Sequence, residues 1–392
     1  MPFSEPSLTA RLARKAHQVA SDIGLELGHH MRGHYPGFVH ARKNADRLNE
    51  IPVFVYHTID PVTFEADLRY LDQNGYRTIT CDEYLAALTG DSPVPAKVVM
   101  LTIDDGRYSV YRHAAPLLQR YGMVAVTFLI PGYMQQSIED TQREDPDLMS
   151  WDEVAEVAAT GCMDFQSHTG VHHRVPAGPV LEDFVHPGTT AALFDIPVSG
   201  GDEPDGASGM AAIYGYPVFK AQSRMLDRPA FVPDAGLIAH LREVASARGE
   251  TFFTGDDWRA TLFQAASDWQ DRTGSLGRYE TSEETANAIR QELIASREQI
   301  EARLPGHRVR HLCLPYTIGS DLAVALAKEA GFESCFWGVR PDRRSNIPVA
   351  DPMYSVRLKG DFLRRLPGEG RQPLAAIFWE KVRRRLQGEA VY

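Results

Sequence analysis

Short apolar runs alternate with amphipathic stretches along most of the chain from residue 51 onward. The runs IPVFVYH, KVVMLTIDDG, VAVTFLI and MDFQSH have the length and the β-branched content of buried strands. The stretches between them place apolar residues at helical spacing and predict helices over 64–74, 110–121 and 151–161. Repeated strand-then-helix units indicate a parallel sheet or barrel with its connecting helices outside.

This rhythm stops after residue 175 and returns near residue 279. The segment between contains the Gly- and Pro-rich pieces VPAGP and VSGGDEPDGASG, and it is far longer than an ordinary loop. Two further predicted strands, RHLCLPY and SCFWGV, then alternate with predicted helices over 282–303 and 321–330. We therefore predict a barrel formed by residues 49–175 and 279–362, interrupted by an insertion or lid over 176–278.

Amphipathic stretches also flank the predicted barrel. Residues 1–48 are interpreted as a helical extension, with one amphipathic helix over 7–32, and residues 363–392 contain the helical stretch PLAAIFWEKVRRRL. The N-terminal helix is expected to pack on the barrel or on a second subunit, which would give a homodimer. The C-terminal helix is interpreted either as packed on the barrel or as a peripheral contact with anionic lipid, because it combines aromatic residues with arginines.

Charge and cysteine content narrow the function. The net charge of -11 argues against a general nucleic-acid binder, which would carry a basic face. The 4 cysteines are widely spaced, with no CxxC pair, so the sequence predicts neither a disulfide framework nor a cysteine zinc site. No apolar run approaches the roughly 18 residues that span a bilayer. Together with the lack of a signal-peptide apolar core, these features predict a cytoplasmic protein.

Polar residues with metal-binding chemistry follow two of the predicted strands. Asp104 and Asp105 end the run KVVMLTIDDG, and two adjacent carboxylates there favour a cation beside them. His168 and His172 follow MDFQSH, and two histidines four residues apart can converge on one ion. Because active sites of parallel α/β barrels lie at the carboxyl ends of the strands, we expect these four residues to share a site.

Two more strand ends carry candidate residues. His57 ends the first predicted strand, where its role is either packing or proton transfer. Pro315 and Tyr316 follow a later strand, where they form either a rigid turn or a site at which the backbone N–H of Tyr316 stabilises an oxyanion.

Several of these segments together resemble the polysaccharide deacetylase (NodB-homology) family. TIDDG is similar to the family motif TFDDG, and SHTGVH matches its second motif, H-[ST]-x-x-H. LCLPYTIGSDLAVALAKEAGFESCFWGV is similar to the third motif region, and MYSVRL is similar to a common ending strand. The resemblance covers about 50–175 and 282–358. It implies an irregular (β/α) barrel of seven or eight strands that removes acetyl groups from sugars with a divalent metal.

The resemblance also implies a role for each candidate residue. Asp105, His168 and His172 are implied metal ligands, and Asp104 is the implied base that activates water. The metal is expected to be zinc, with cobalt, nickel or iron as alternatives, since the order of affinities favours zinc over iron and cobalt. Substrate binding is assigned to three residues of the third motif region and the ending strand: Pro315, Trp337 and Arg357.

The sequence departs from the family pattern at two points. An arginine often holds the base in the third motif, but Leu312, Cys313 and Leu314 stand there instead. The late histidine that acts as general acid in many members is missing, because no histidine follows His311. The early Tyr-His motif resembles the branch of poly-N-acetylglucosamine deacetylases, in which it supplies this acid. We therefore assign the general acid to His57.

The substrate predicted from these features is an N-acylated, chiefly N-acetylated, amino sugar or sugar conjugate. A cytoplasmic location favours sugar nucleotides, lipid-linked sugars or small glycosides, and the insertion is expected to roof the site. Two alternatives stay open at this point. One is a non-catalytic glycan-binding scaffold with the same barrel, and the other is a deformylase or related amide hydrolase acting on a sugar-linked substrate.

Overall fold

The computed structural model describes residues 24, 28–45, 48–138, 148–191, 195–197 and 210–386. Most of the helix predicted over 7–32 lies outside these residues. Within them, no helix is both long enough and apolar enough to cross a membrane.

Strands and helices alternate along the described chain. The strands are β1 (Val53–Tyr56), β2 (Arg77–Thr78), β3 (Val98–Ile103), β4 (Ala125–Leu129), β5 (Met163–Ser167), β6 (Arg174–Phe184), β7 (Pro217–Ser223), β8 (Phe231–Pro233), β9 (Gly277–Tyr279), β10 (His311–Cys313), β11 (Ser334–Trp337), β12 (Ser355–Val356) and β13 (Leu358–Lys359). The α-helices are α1 (Pro61–Gln73), α2 (Cys81–Thr89), α3 (Ala115–Tyr121), α4 (Trp151–Ala159), α5 (Ala235–Ser246), α6 (Trp258–Thr273), α7 (Ser282–Arg303), α8 (Asp321–Glu329) and α9 (Leu374–Leu386).

Eight parallel strands form a nearly closed barrel in the order β12-β11-β10-β5-β4-β3-β1-β13, with β2 attached to β3. The two ends of this order are neighbours in the chain, because only Arg357 separates β12 from β13. One short stretch thus pairs with β11 on one side and with β1 on the other. The prediction of a parallel (β/α) barrel with seven or eight strands is confirmed.

Strand periodicity divides the apolar residues between two layers. In β4, Val126 and Phe128 join a cluster that includes Cys313 and Phe336, whereas Ala125 belongs to the larger cluster that includes residues of the surrounding helices. Every residue of β3 and of β4 is buried, as expected for parallel strands covered on both faces. The barrel is therefore a packed core rather than a channel, and its chemistry is confined to the strand ends.

Local sequence signals determine where several barrel helices begin. α2, α4 and α7 each begin with a capping box, in which a Ser or Thr and a Glu three residues later satisfy each other's backbone N–H groups. The helix predicted over 110–121 is split into a π-helical turn, Val110–Ala114, followed by α3. Pro116 lies in the first turn of α3, where its missing N–H interrupts the helical hydrogen bonding.

The segment between β5 and α7 forms two small antiparallel sheets, β6-β7 and β8-β9, which are separate from the parallel sheet. α5 and α6 cover them and share a core with them that includes Phe184, Phe219, Leu241 and Leu262.

The C-terminal helix α9 packs on the barrel. Ile377 is buried, Lys381 lies 3.5 Å from Asp361, and Arg384 donates to Asp361 at 2.9 Å. Trp379 projects outward with 70% of its surface exposed. The predicted lipid contact of this helix stays a prediction.

Candidate metal and active site

The predicted site residues converge at the carboxyl end of the barrel. Asp104 and Asp105 follow β3, His168 follows β5, and His57 follows β1. Tyr316 lies in a 3-10 turn, Pro315–Thr317, after β10. Because all these strands are parallel, their carboxyl ends bring the side chains to one edge of the barrel.

Asp105, His168 and His172 form a compact set of possible metal ligands. Asp105 Oδ1 lies 3.6 Å from His168 Nε2 and 3.9 Å from His172 Nε2. All three residues are buried, and their donor atoms lie within 4.8 Å of one another. Asp105 and His172 also have positive φ angles, 73° and 57°, which non-glycine residues adopt rarely. Such backbone strain is characteristic of functional sites, where the surrounding fold holds it in place.

The donor set fits a divalent metal such as zinc, which binds imidazole nitrogen and carboxylate oxygen at about 2 Å. Each histidine directs Nε2 inward, while its Nδ1 faces an acceptor. For His168 this acceptor is the carbonyl oxygen of Cys313 at 2.9 Å, and for His172 it is Asp195 Oδ1 at 3.5 Å. Burial lowers the pKa of His168 to about 4, so the ring is neutral near pH 7, as a metal ligand must be.

A second set of donor atoms overlaps the first and consists of Asp104, His168 and Cys313. It suits a metal less well, because burial raises the pKa of the Cys313 thiol and keeps it protonated. Its Sγ lies 3.6 Å from Asp104 Oδ2, a distance at which the thiol donates a weak hydrogen bond to the carboxylate. The set of Asp105, His168 and His172 is therefore the better candidate for a metal site.

Arg107 binds the Oδ2 oxygen of the Asp105 carboxylate. Its Nε and Nη2 lie 2.9 Å and 2.7 Å from Asp105 Oδ2, which leaves Oδ1 directed at the histidines. Burial alone would raise the pKa of Asp105, but the charges of His57 and Arg107 outweigh it, and the net pKa is lowered. The carboxylate is thus held ionised.

Asp104 lies beside the metal-ligand set and forms a bidentate ion pair with Arg357. Arg357 Nη1 and Nη2 lie 2.6 Å and 2.8 Å from the two carboxylate oxygens, and Nη1 also donates to Thr102 Oγ1 at 3.1 Å. Burial alone would raise the pKa of Asp104, but the charge of Arg357, assisted by His168, lowers it. Arg357 was predicted to bind substrate. Its side chain is only 1% exposed and directed at Asp104, a position better suited to fixing the carboxylate.

His57 also lies close to Asp104. Its Nε2 is 3.8 Å from Asp104 Oδ2, and 25% of its side chain is exposed. Burial lowers its pKa from the ordinary value near 6.5, although the charges of Asp104 and Asp105 act in the opposite direction.

The other predicted substrate-binding residues surround this edge of the barrel. Pro315 is buried, and the Trp337 indole Nε1 donates to the Met353 carbonyl at 2.9 Å. Their predicted contact with substrate stays a prediction. Tyr316 has a φ of 56°, its ring lies 4.5 Å from that of His172, and its hydroxyl donates to Asp195.

Two residues at the site were missed in the sequence. Arg107 stands two positions after Asp105, and this spacing could have suggested that it binds the acid. Asp195 lies inside the insertion, and nothing in its local sequence indicates that it reaches the metal ligands.

The fold and these donor groups define the class of parallel α/β barrels that can hold a divalent ion. Residues 91–184, which include β3, β4, β5 and the predicted metal ligands, match the family model described as polysaccharide deacetylase. This match agrees with the resemblance to that family that the motifs predicted, for this segment of the chain.

Similar proteins match different shares of the chain. The Bacillus subtilis (strain 168) protein YxkH is 34% identical over 106 residues, which are 24% of this chain and 38% of that protein. The poly-beta-1,6-N-acetyl-D-glucosamine N-deacetylase of Escherichia coli (strain K12) is 29% identical over 110 residues, which are 26% of this chain and 16% of that protein. A solved de-N-acetylase from Aggregatibacter actinomycetemcomitans is 18% identical with a TM-score of 0.49, over 84% of this chain and 98% of that chain.

Proposed function

We propose that this protein is a metal-dependent hydrolase that removes an N-acyl group, chiefly acetyl, from an amino sugar in a glycan or sugar conjugate. The observation that supports this best is the placement of Asp104 beside the cluster of Asp105, His168 and His172. A second carboxylate, separate from the ligands and fixed by Arg357, is the arrangement that activation of water requires. The family and the glycan deacetylases among its relatives support a carbohydrate substrate.

Asp105, His168 and His172 would hold the ion. When bound, a divalent ion acidifies water and polarises the acyl carbonyl. The three ligands leave room for other groups, as in catalytic zinc sites with three protein ligands. Zinc is our first choice of metal, with cobalt, nickel and iron as alternatives.

Asp104 acts as the general base in this proposal. The lowered pKa keeps it ionised throughout the neutral range, so that it can accept a proton from the attacking water. Arg357 binds both carboxylate oxygens, and this fixes the direction in which Asp104 accepts the proton. Arg357 is therefore proposed as a positioning residue, because its contacts are with the base.

His57 acts as the general acid in its protonated form, which the charges of Asp104 and Asp105 favour against the effect of burial. It donates a proton to the departing amine nitrogen, which leaves poorly as an anion. Its partial exposure allows a substrate to reach the ring, and its distance of 3.8 Å from Asp104 places acid and base at one reacting centre. The backbone N–H of Tyr316 is proposed to stabilise the negative charge that develops on the acyl oxygen.

A large cleft opens beside His57 and supports a substrate bigger than one amino sugar. The cleft has a volume of about 1040 Å³ and lies between the ends of β1 and β13 and the helix α9. His57, Trp379 and Arg383 line it, whereas Asp104, Asp105, His168 and His172 do not. Most small-ligand sites have volumes of about 300–1,000 Å³, so this cleft has room for more than one sugar ring.

The test combines metal analysis with product release. Metal content is measured by mass spectrometry on wild type and on a His168→Ala, His172→Ala double variant, while acetate and formate release is followed on a panel of N-acylated sugars and oligosaccharides. We expect about one divalent ion per wild-type chain, with ion and activity both lost in the double variant.

Each alternative gives a different result. Wild-type protein without an ion after reconstitution would support the glycan-binding scaffold, and faster release of formate than of acetate would support a deformylase. An unchanged ion content in the double variant would mean that the ligands are elsewhere.

A further inference from the structure

The insertion reaches the predicted metal site at Asp195. This residue belongs to the described stretch 195–197, which lies between β6 and β7 in the chain. Asp195 Oδ1 lies 3.5 Å from His172 Nδ1, and it also accepts a hydrogen bond from the Tyr316 hydroxyl. Its side chain is 31% exposed, so the carboxylate is largely covered by these contacts.

We propose that Asp195 is a positioning residue that orients the ligand His172 for the metal, so that the insertion helps to build the metal site. This inference rests on the proposed function, because it takes the cluster of Asp105, His168 and His172 as a metal site.

The two nitrogens of the His172 ring face different groups. Nε2 lies 3.9 Å from Asp105 Oδ1 and therefore faces the proposed ion. Nε2 can bind a metal only through its lone pair, which requires the neutral ring to carry its proton on Nδ1. A carboxylate facing Nδ1 favours this tautomer and makes Nε2 more basic.

The other histidine ligand supports the same interpretation. His168 Nδ1 faces the carbonyl oxygen of Cys313 at 2.9 Å, so an acceptor from the barrel selects its tautomer. Asp195 has the equivalent position for His172, but it comes from the insertion. The two ligands thus depend on different parts of the fold.

Backbone conformation increases the dependence of His172 on its neighbours. With a φ of 57°, the residue lies outside both regular helix and regular strand, and its orientation is not fixed by a regular hydrogen-bond ladder. Its ring packs 4.5 Å from that of Tyr316, whose hydroxyl holds Asp195. The His172 ring therefore has Tyr316 against it and Asp195 at Nδ1.

The test measures metal affinity rather than activity. Apo protein would be titrated with zinc in competition with a chromophoric chelator. Asp195→Ala is expected to weaken zinc binding by about 10–100-fold, the usual effect of losing a group that orients a ligand. Asp195→Asn should weaken it less, since the amide oxygen still accepts a hydrogen bond but carries no charge.

A matched control is available within the insertion. Asp183 forms an ion pair with Arg259 at 2.8 Å, and Asp183→Asn removes a carboxylate that contacts neither His172 nor Tyr316. This variant should bind zinc as wild type does. Tyr316→Phe keeps the ring and the backbone N–H but removes the hydroxyl that holds Asp195. We expect this variant to lose zinc affinity too, but less than Asp195→Ala does.

The outcomes separate this inference from the proposed function. If Asp195→Ala binds zinc within twofold of wild type while His172→Ala does not bind it, the inference is wrong and the metal site stands. If wild type itself binds none of zinc, cobalt, nickel and iron, both are wrong. Should Asp195→Ala fail to fold, unchanged affinity in both Asp195→Asn and Tyr316→Phe would overturn the inference.

Discussion

The ion pair between Asp104 and Arg357 provides the sharpest test of how this site is built. We consider the substitution Arg357→Met, which removes the guanidinium while keeping most of the apolar volume. Both partners are buried, with side chains 1% and 3% exposed. The substitution leaves Asp104 without its bidentate partner in the packed barrel, and removal of one partner of a buried pair costs about 3–5 kcal/mol.

The loss of stability in Arg357→Met should depend on pH, because Asp104 can bind a proton and thereby avoid being a buried charge without a partner. In wild type the folded-state pKa of Asp104 is lowered, so its contribution to stability is present above its unfolded pKa near 4 and is lost as the pH falls through the folded value. Without Arg357, burial raises the folded-state pKa of Asp104. The contribution of Asp104 to stability then has the opposite pH dependence. It is present at low pH and is lost as the pH rises through the raised folded-state pKa.

The stability difference between wild type and Arg357→Met should therefore increase from pH 5 to pH 8. At pH 8 we expect about 3 kcal/mol, which corresponds to roughly two powers of ten in the unfolding equilibrium. The assay is urea unfolding of metal-free protein, followed by circular dichroism at both pH values. Adding Asp104→Asn in the Arg357→Met background removes the buried charge and should recover stability at pH 8. A destabilisation below about 1 kcal/mol that does not change with pH would refute this reasoning.

Three further predictions concern catalysis, substrate and stability. His57→Gln should lower kcat/KM for a deacetylation substrate by about 10²–10⁴-fold, because the general acid is lost. Mass spectrometry should find the metal content of this variant unchanged. Loss of the ion would instead make His57 part of the metal site. Trp379→Ala should raise KM for an N-acetylated oligosaccharide several-fold but leave KM for a monosaccharide unchanged. Equal effects on both substrates in steady-state kinetics would argue against binding of additional sugar rings in the cleft. Burial raises the pKa of Asp67 to about 6, although Arg364 opposes the shift. The contribution of Asp67 to stability is therefore present below pH 4 and is lost as the pH rises through 6. The free energy of unfolding of wild type, relative to that of Asp67→Asn, should fall by up to about 3 kcal/mol over this range. A difference that stays constant between pH 4 and 7 would contradict the prediction.

Local sequence was sufficient to predict most barrel strands and the main candidate ligands. β3, β4 and β5 are short apolar runs, and the acids and histidines follow β3 and β5 directly. Because parallel strands bring their carboxyl ends together, the order of motifs along the chain already implies a common site. α2 was not predicted, although Thr80 and Glu83 form the capping box that starts it. Its 9 residues are too few for apolar periodicity to identify a helix clearly.

The partners of the candidate residues could not be predicted in the same way. Arg357 separates two strands of only 2 residues each, and 253 positions of chain separate it from Asp104. Its role follows from closure of the barrel, because the stretch that joins the two sheet edges directs this side chain inward. Asp195 depends on the fold of the insertion, where Gly- and Pro-rich sequence gives no periodic signal.

This division between local and long-range contacts has a consequence for the family motifs. The first two motifs contain the groups that face the proposed ion, whereas the groups that contact those side chains from outside lie in the third motif region, in the ending strand and in the insertion. Arg357 of the ending strand pairs with the proposed base Asp104, the Cys313 carbonyl faces His168, and Asp195 of the insertion faces His172. Since a carboxylate and a carbonyl differ in charge, the group that faces the outer nitrogen of a histidine ligand affects the basicity of that ligand. Chains that share the first two motifs can therefore differ in metal affinity and base strength, and these outer contacts are where such differences should be sought.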